Sequence, residues 1–133
     1  MEDLGKLIGL LIIGLFVLEA FRFFLKLGFK KFGLWIKKNT KFHPVLLKMM
    51  KYNAMFHPWI GYLIVLLILT HVYIQTGFAW FSPSGLLAGI LLSSEVVVGF
   101  VGQYVMKKPR PVYWTWVHRL LPVAIIVAIL NHI

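Results

Sequence analysis

The chain has 133 residues, of which 60% are hydrophobic and only 14% charged, and its mean hydropathy is +0.85. An ordinary soluble domain carries about a quarter charged residues, so this composition excludes a water-soluble globule, and the 16% aromatic share excludes disorder. The net charge of +10 would suggest nucleic acid in a soluble protein, but here the lysines and arginines flank apolar runs, where positive charge holds loops on the cytoplasmic side.

The first apolar run, residues 7–27, is interrupted by Glu19 and Arg22, which stand three apart and are placed to pair on one helix face. The acidic opening and the lack of a small-residue cleavage site after the run indicate a retained helix and not a cleaved leader. Residues 28–54 form a basic connection holding Lys30, Lys31, Lys37, Lys38, Lys41, Lys48 and Lys51. Within it Val45, Leu46, Leu47, Met49 and Met50 alternate with Lys48 and Lys51 at helical spacing, which predicts a short amphipathic helix at the membrane surface. A second span is predicted over 55–75. It is followed by an uncharged aromatic turn around Trp80 and Phe81.

A third span over 85–105 carries Glu95, and the basic break Lys107-Lys108-Pro109-Arg110-Pro111 separates it from a fourth over 112–133. The expected fold is an all-α, single-domain bundle of four transmembrane helices with one interfacial helix between the first two. Both basic connections fall on one side, so the positive-inside rule places them in the cytoplasm of a plasma or inner membrane and both termini outside. Spans two and four then run parallel.

With no cysteine in the chain, disulfides, iron–sulfur clusters, thiolate-bound zinc and covalently attached c-type haem are excluded, and a cofactor must be held by histidine, carboxylate or backbone. No phosphate-binding glycine loop, HExxH or catalytic carboxylate pair occurs.

The histidines carry the strongest pattern. His57 and His71 lie fourteen apart on the second span, and His118 and His132 fourteen apart on the fourth. Fourteen residues rise ~21 Å and complete nearly four turns, so each pair occupies roughly one helix face with one member near each membrane surface. On parallel helices His57 meets His118 and His71 meets His132. Each level then offers two facing imidazoles, the donor set for bis-histidine ligation of a b-type haem. A histidine-bound metal and plain packing are the other readings. His43, in Phe42-His43-Pro44, has no partner at its depth and is read as a loop or interfacial residue. Gly61, one turn after His57, leaves room for a flat ring or for close helix packing. Arg119 and Arg22 are placed either to bind propionate carboxylates or to reach the headgroups. Glu95, near mid-membrane, is expected to be protonated or hydrogen-bonded to its neighbours.

The stretches His57-Pro58-Trp59-Ile60-Gly61-Tyr62 through Thr70-His71, and Trp114-Thr115-Trp116-Val117-His118-Arg119-Leu120 through His132, resemble the ferric-reductase-like transmembrane domain family. That family includes the membrane parts of NADPH oxidases and ferric reductases, and the haem subunit of the bacterial methionine sulfoxide reductase system. The resemblance covers about residues 55–133. It implies that His57, His71, His118 and His132 ligate two b haems, paired His57 with His118 and His71 with His132. It also implies transmembrane electron transfer between a redox donor and an acceptor, proteins or a quinone. The family typically has six spans where this chain has room for four, and an aromatic residue is common where Pro122 stands here. Two alternative functions are quinol or superoxide oxidoreduction at a haem edge, with a pocket expected near Glu95 or the Trp80-Phe81 turn, and a haem-bearing anchor subunit of a larger redox complex. Membrane lipid is an expected partner, nucleic acid is not, and a homodimer or partner subunit would cover the exposed haem edges.

Overall fold

The computed structural model describes residues 2–133, which form four helices: α1 (Glu2–Asn39), α2 (His43–Thr76), α3 (Pro83–Phe100) and α4 (Val112–His132). All four are long and apolar enough to cross a membrane, the third when counted through Val105. Large side chains such as Leu10, Phe24, Leu66, Val97, Val127 and Leu130 point outward along the helices, as the lipid-facing surface of a bundle requires. The chain is a multi-pass membrane protein.

The predicted interfacial helix is absent. The segment 28–54 is instead absorbed into its neighbours: α1 continues to Asn39, and α2 begins at His43, with only residues 40–42 between them. The local chemistry accounts for the break. The Thr40 hydroxyl folds back onto the Ile36 carbonyl at 2.8 Å, and Pro44 stands in the first turn of α2, the one place a helix accepts proline without losing a bond. The lysine-rich sequence is therefore helix on both sides of a tight turn. At ~57 Å and ~51 Å, α1 and α2 outrun a hydrocarbon core of ~30 Å, whereas α4, ~32 Å long, matches it. The surplus of the first two helices is the segment that carries the lysines.

α2 stops at Gly77, whose left-handed backbone (φ 57°) returns its N–H to the Tyr73 carbonyl. Ser82 caps α3 by accepting the Gly85 N–H at 3.2 Å, with Pro83 following. The last turn of the third span, Val101–Val105, widens into a π-helix. Pro58 and Pro122 lie inside α2 and α4, each of which remains one helix.

α1 packs antiparallel along α2, and α3 along α4, so the molecule is two helical hairpins joined by a less extensive α2–α3 contact. Where the hairpins meet, Ile12, Phe16, Ile64, Leu92 and Ile125 form the buried core. Ile125 is fully buried. Ile64 lies seven residues from both His57 and His71, and Ile125 seven from both His118 and His132. The apolar layer therefore sits midway between the two histidine levels, ~10 Å along the helix from each.

Candidate functional site

The site is built twice by the same device. In each hairpin the second helix supplies two histidines and the first supplies the polar groups that fix their rings. On α2, His57 Nδ1 contacts Glu19 Oε2 of α1, and His71 Nδ1 lies 2.8 Å from the Gly5 carbonyl oxygen of α1. On α4, His118 Nδ1 is 2.7 Å from Glu95 Oε1 of α3, and His132 Nδ1 is 3.2 Å from Ser84 Oγ of α3. The His118–Glu95 contact is close enough for an ion pair but is not aligned as a hydrogen bond. In all four rings Nδ1 is the nitrogen turned to a neighbour. Among the described residues no hydrogen bond engages the Nε2 of any of them.

Glu19 is placed by its spacing to pair with Arg22 on its own helix. Its carboxylate instead reaches across to His57, where the partner ring lies within the hairpin interface. Arg22 remains within electrostatic range of Glu19.

The two levels differ. At the end nearer the basic connections His57 and His118 come together, their ring centroids 6.0 Å apart and their planes at 70°, and Trp114 stacks on His118 at 5.0 Å. The order Glu19–His57–His118–Glu95 crosses all four helices in one layer, and both carboxylates are largely shielded, with side-chain exposures of 10% and 15%. Their second oxygens, Glu19 Oε1 and Glu95 Oε2, are buried without a hydrogen-bond partner among the described residues. At the aromatic end His71 and His132 each face the first helix of their own hairpin and make no ring contact with each other, and His132 is exposed on the last turn of α4.

Glycines seat these rings. A Cβ on Gly9 would lie 3.2 Å from His71 Cε1, one on Gly99 3.7 Å from His118 Cε1, and one on Gly85 only 2.8 Å from His132 Cε1. A Cβ on Gly102 would overlap the Trp114 indole, whose N–H donates to the Val98 carbonyl at 3.0 Å. Gly61 faces α3, its absent Cβ directed at Val96 at 3.5 Å. Gly5 and Gly9 were not singled out from the sequence; their spacing of four on α1 was the signal available.

Arg22 is half-exposed and Arg119 exposed. Lys26 lies in electrostatic range of both and of Arg110, so four cations from α1, the 106–111 connection and α4 gather at the basic end. Arg110 is the anchored member, its Nε–H donating to the Gly102 carbonyl and its guanidinium lying over Trp114. His43 takes the first position of α2, its ring 5.6 Å from that of Phe29.

An open chamber of about 530 Å³ lies between α1 and α2, lined by Leu18, Val45, Met49, Tyr52, Asn53 and Phe56 among others. Leu18 and Phe56 are the chain neighbours of Glu19 and His57. The chamber thus lies toward the His57 end of α2.

No family model, no curated protein and no solved structure matches this chain. Among the described residues no group of three or more metal-ligating side chains gathers, and the histidines come in pairs. A ligating histidine turns its remote nitrogen to a carboxylate, carbonyl or hydroxyl, which fixes the ring and the tautomer, and that arrangement recurs in both hairpins.

Proposed function

We propose that this protein is a small diheme b-type cytochrome that carries electrons across a plasma or inner membrane. One observation carries the reading: four imidazoles at fourteen-residue spacing on two parallel helices, each with Nδ1 turned to a neighbouring polar group and Nε2 left untied. His57 and His118 would hold one haem and His71 and His132 the other, and each haem would supply a one-electron couple. The protein's own residues hold the rings, through Glu19, Gly5, Glu95 and Ser84, and keep water out of the middle of the bundle with the layer of Ile64, Leu92 and Ile125. Two histidines per iron leave no coordination position for a substrate, so the role is transfer and not chemistry at the metal. Arg22 and Arg119, at the basic end, suit carboxylate-bearing groups. By the positive-inside rule that end is cytoplasmic and both termini are outside. A redox donor, protein or quinone, would meet one end and an acceptor the other.

The test is a reduced-minus-oxidised visible spectrum of the detergent-purified protein with a pyridine haemochrome count. Two b-type haems per chain are expected, falling to one in His57→Ala or His71→Ala. A protein that stays colourless when expressed with ample haem overturns the reading.

The chamber beside His57 favours one second reading, oxidation of a quinol there. Its volume falls within the range of small-molecule pockets, and Asn53, whose amide oxygen is buried without a hydrogen-bond partner among the described residues, is one of its lining residues. Under this reading a short-chain quinol reduces the purified protein in the wild type and fails to do so in Asn53→Leu. Equal reduction of both variants counts against it.

A further inference from the structure

The chamber between α1 and α2 gathers its polar residues toward one end. Along α2 Lys48, Tyr52 and Asn53 line it first, then Phe56 and Ile60, and Leu18 closes it from α1. Val45, Met49, Tyr52 and Phe56 are half-exposed, so the chamber opens sideways, toward lipid. We propose that it holds a hydrocarbon chain of an anionic phospholipid from the leaflet at the basic end, with the lipid phosphate on Lys48. The inference needs no haem, and it competes with the quinol reading for the same chamber.

Depth supports this occupant. Ile64 belongs to the apolar layer at the middle of the bundle. With α2 along the membrane normal, Ile60 stands ~6 Å from that middle, Asn53 ~16 Å and Lys48 ~24 Å. A hydrocarbon core of ~30 Å ends near Asn53, and the headgroups fill the next ~5–8 Å. Phe56, Ile60 and Leu18 therefore lie at the depth of acyl chains, and Asn53 at the level of the glycerol. Lys48 stands just beyond the phosphates, and its flexible stem brings the ammonium back to them. A quinol ring carries hydroxyls on opposite edges and calls for polar partners at both ends of its pocket. Phe56, Ile60 and Leu18 offer none at the inner end.

Charge selects the headgroup. Residues 28–54 carry seven lysines, and no Asp or Glu stands between Glu19 and Glu95. Glu19 itself is turned to His57. Asn53 also lines a small neighbouring cavity whose other walls include Arg22 and Lys26. Lys48 thus stands at the mouth of the chamber with two further cations on the far side of Asn53, and the chain supplies little negative charge to balance them. Lysines clustered just beyond a membrane span attract anionic lipid. A zwitterionic lipid brings its own cation to the cluster and gains less. The acyl chain contributes separately, by covering the half-exposed apolar faces of Val45, Met49 and Phe56.

Native mass spectrometry of the delipidated, detergent-purified protein, titrated with phosphatidylglycerol or phosphatidylcholine, tests this. A single tight site per chain for phosphatidylglycerol is expected, with no matching site for phosphatidylcholine. Lys48→Gln should weaken it about fivefold, the worth of one lysine near the headgroups. Val45→Trp, which fills the chamber and leaves the charge alone, should weaken it as well. Lys107→Gln, in the other basic connection, should leave it unchanged. Equal binding of the two lipids, equal losses from Lys48→Gln and Lys107→Gln, or a Val45→Trp protein that binds as the wild type does would overturn the proposal. So would uptake of a short-chain quinol in preference to equimolar phosphatidylglycerol, which would give the chamber to the quinol. Loss of the diheme reading leaves each of these outcomes legible, since none of them is read from a haem.

Discussion

The two hairpins solve one problem with different tolerances. Each holds a pair of histidines on its second helix by means of groups on its first. In α1–α2 the first helix carries a long, lysine-bearing extension and a graded set of glycines: nothing lies within 4 Å of a Cβ on Gly14 or Gly28, one on Gly9 would press on His71 at 3.2 Å, and one on Gly5 would meet the end of the flexible Gln75 side chain at 2.6 Å. In α3–α4 the helices are short and the seats are tight, with Gly85 against His132 and Gly102 against Trp114. In the second hairpin, then, the glycines are a steric requirement of the helix–helix contact, as is common where membrane helices approach closely. In the first, two glycines are open and the other two meet side chains that can yield, the end of Gln75 and the His71 ring, and length with cross-helix polar contacts adds to the positioning.

The sharpest way to break this comparison is to add one methyl group to each side. Gly102→Ala places a Cβ inside the Trp114 indole. Trp114 is held by the Val98 carbonyl and stacked on His118, so it has nowhere cheap to go. Overpacking of this kind costs about 1–3 kcal/mol, and the displaced indole should also disturb the His118 ring. Gly9→Ala asks His71 to give by only a few tenths of an ångström from 3.2 Å. Unfolding of the two variants in detergent, titrated with denaturant, should rank Gly102→Ala clearly below Gly9→Ala. Equal losses would mean that the hairpins are packed alike.

That contrast was only partly legible in the sequence. Apolar runs and their basic flanks reveal four spans because the bilayer imposes length and charge at once. The fourteen-residue histidine spacing was equally plain, since two identical intervals on parallel helices place the rings at matching levels. The extents of α1 and α2 were hidden: Lys37, Lys38, Lys48 and Lys51 lower the hydropathy without lowering helix propensity, so a charged stretch of continuing helix reads as a connection. The partner of Glu19 was hidden for another reason. Sequence ranks the neighbour three residues away, but a carboxylate on an interhelical face reaches the ring opposite it, and that register appears only once α1 and α2 are packed. Gly85, Gly89, Gly99 and Gly102 all stand in the third span, but which rings the glycines seat appears only once α4 is packed against it.

The smallest expected effect sharpens the comparison from the other side. Gly14 and Gly28 stand in the middle of α1 with open space where a side chain would go. A helical glycine costs roughly 0.5–1 kcal/mol relative to alanine because it loses more backbone freedom on folding. Gly14→Ala and Gly28→Ala should therefore each stabilise the protein by about that amount, visible as a small upward shift in the detergent unfolding midpoint. The lipid-facing or water-facing position of these two residues would leave the histidine seats untouched. A loss of stability at either position would place a partner surface against α1 there, and the open face of the first hairpin would then be an interface, held to the same close packing as the second.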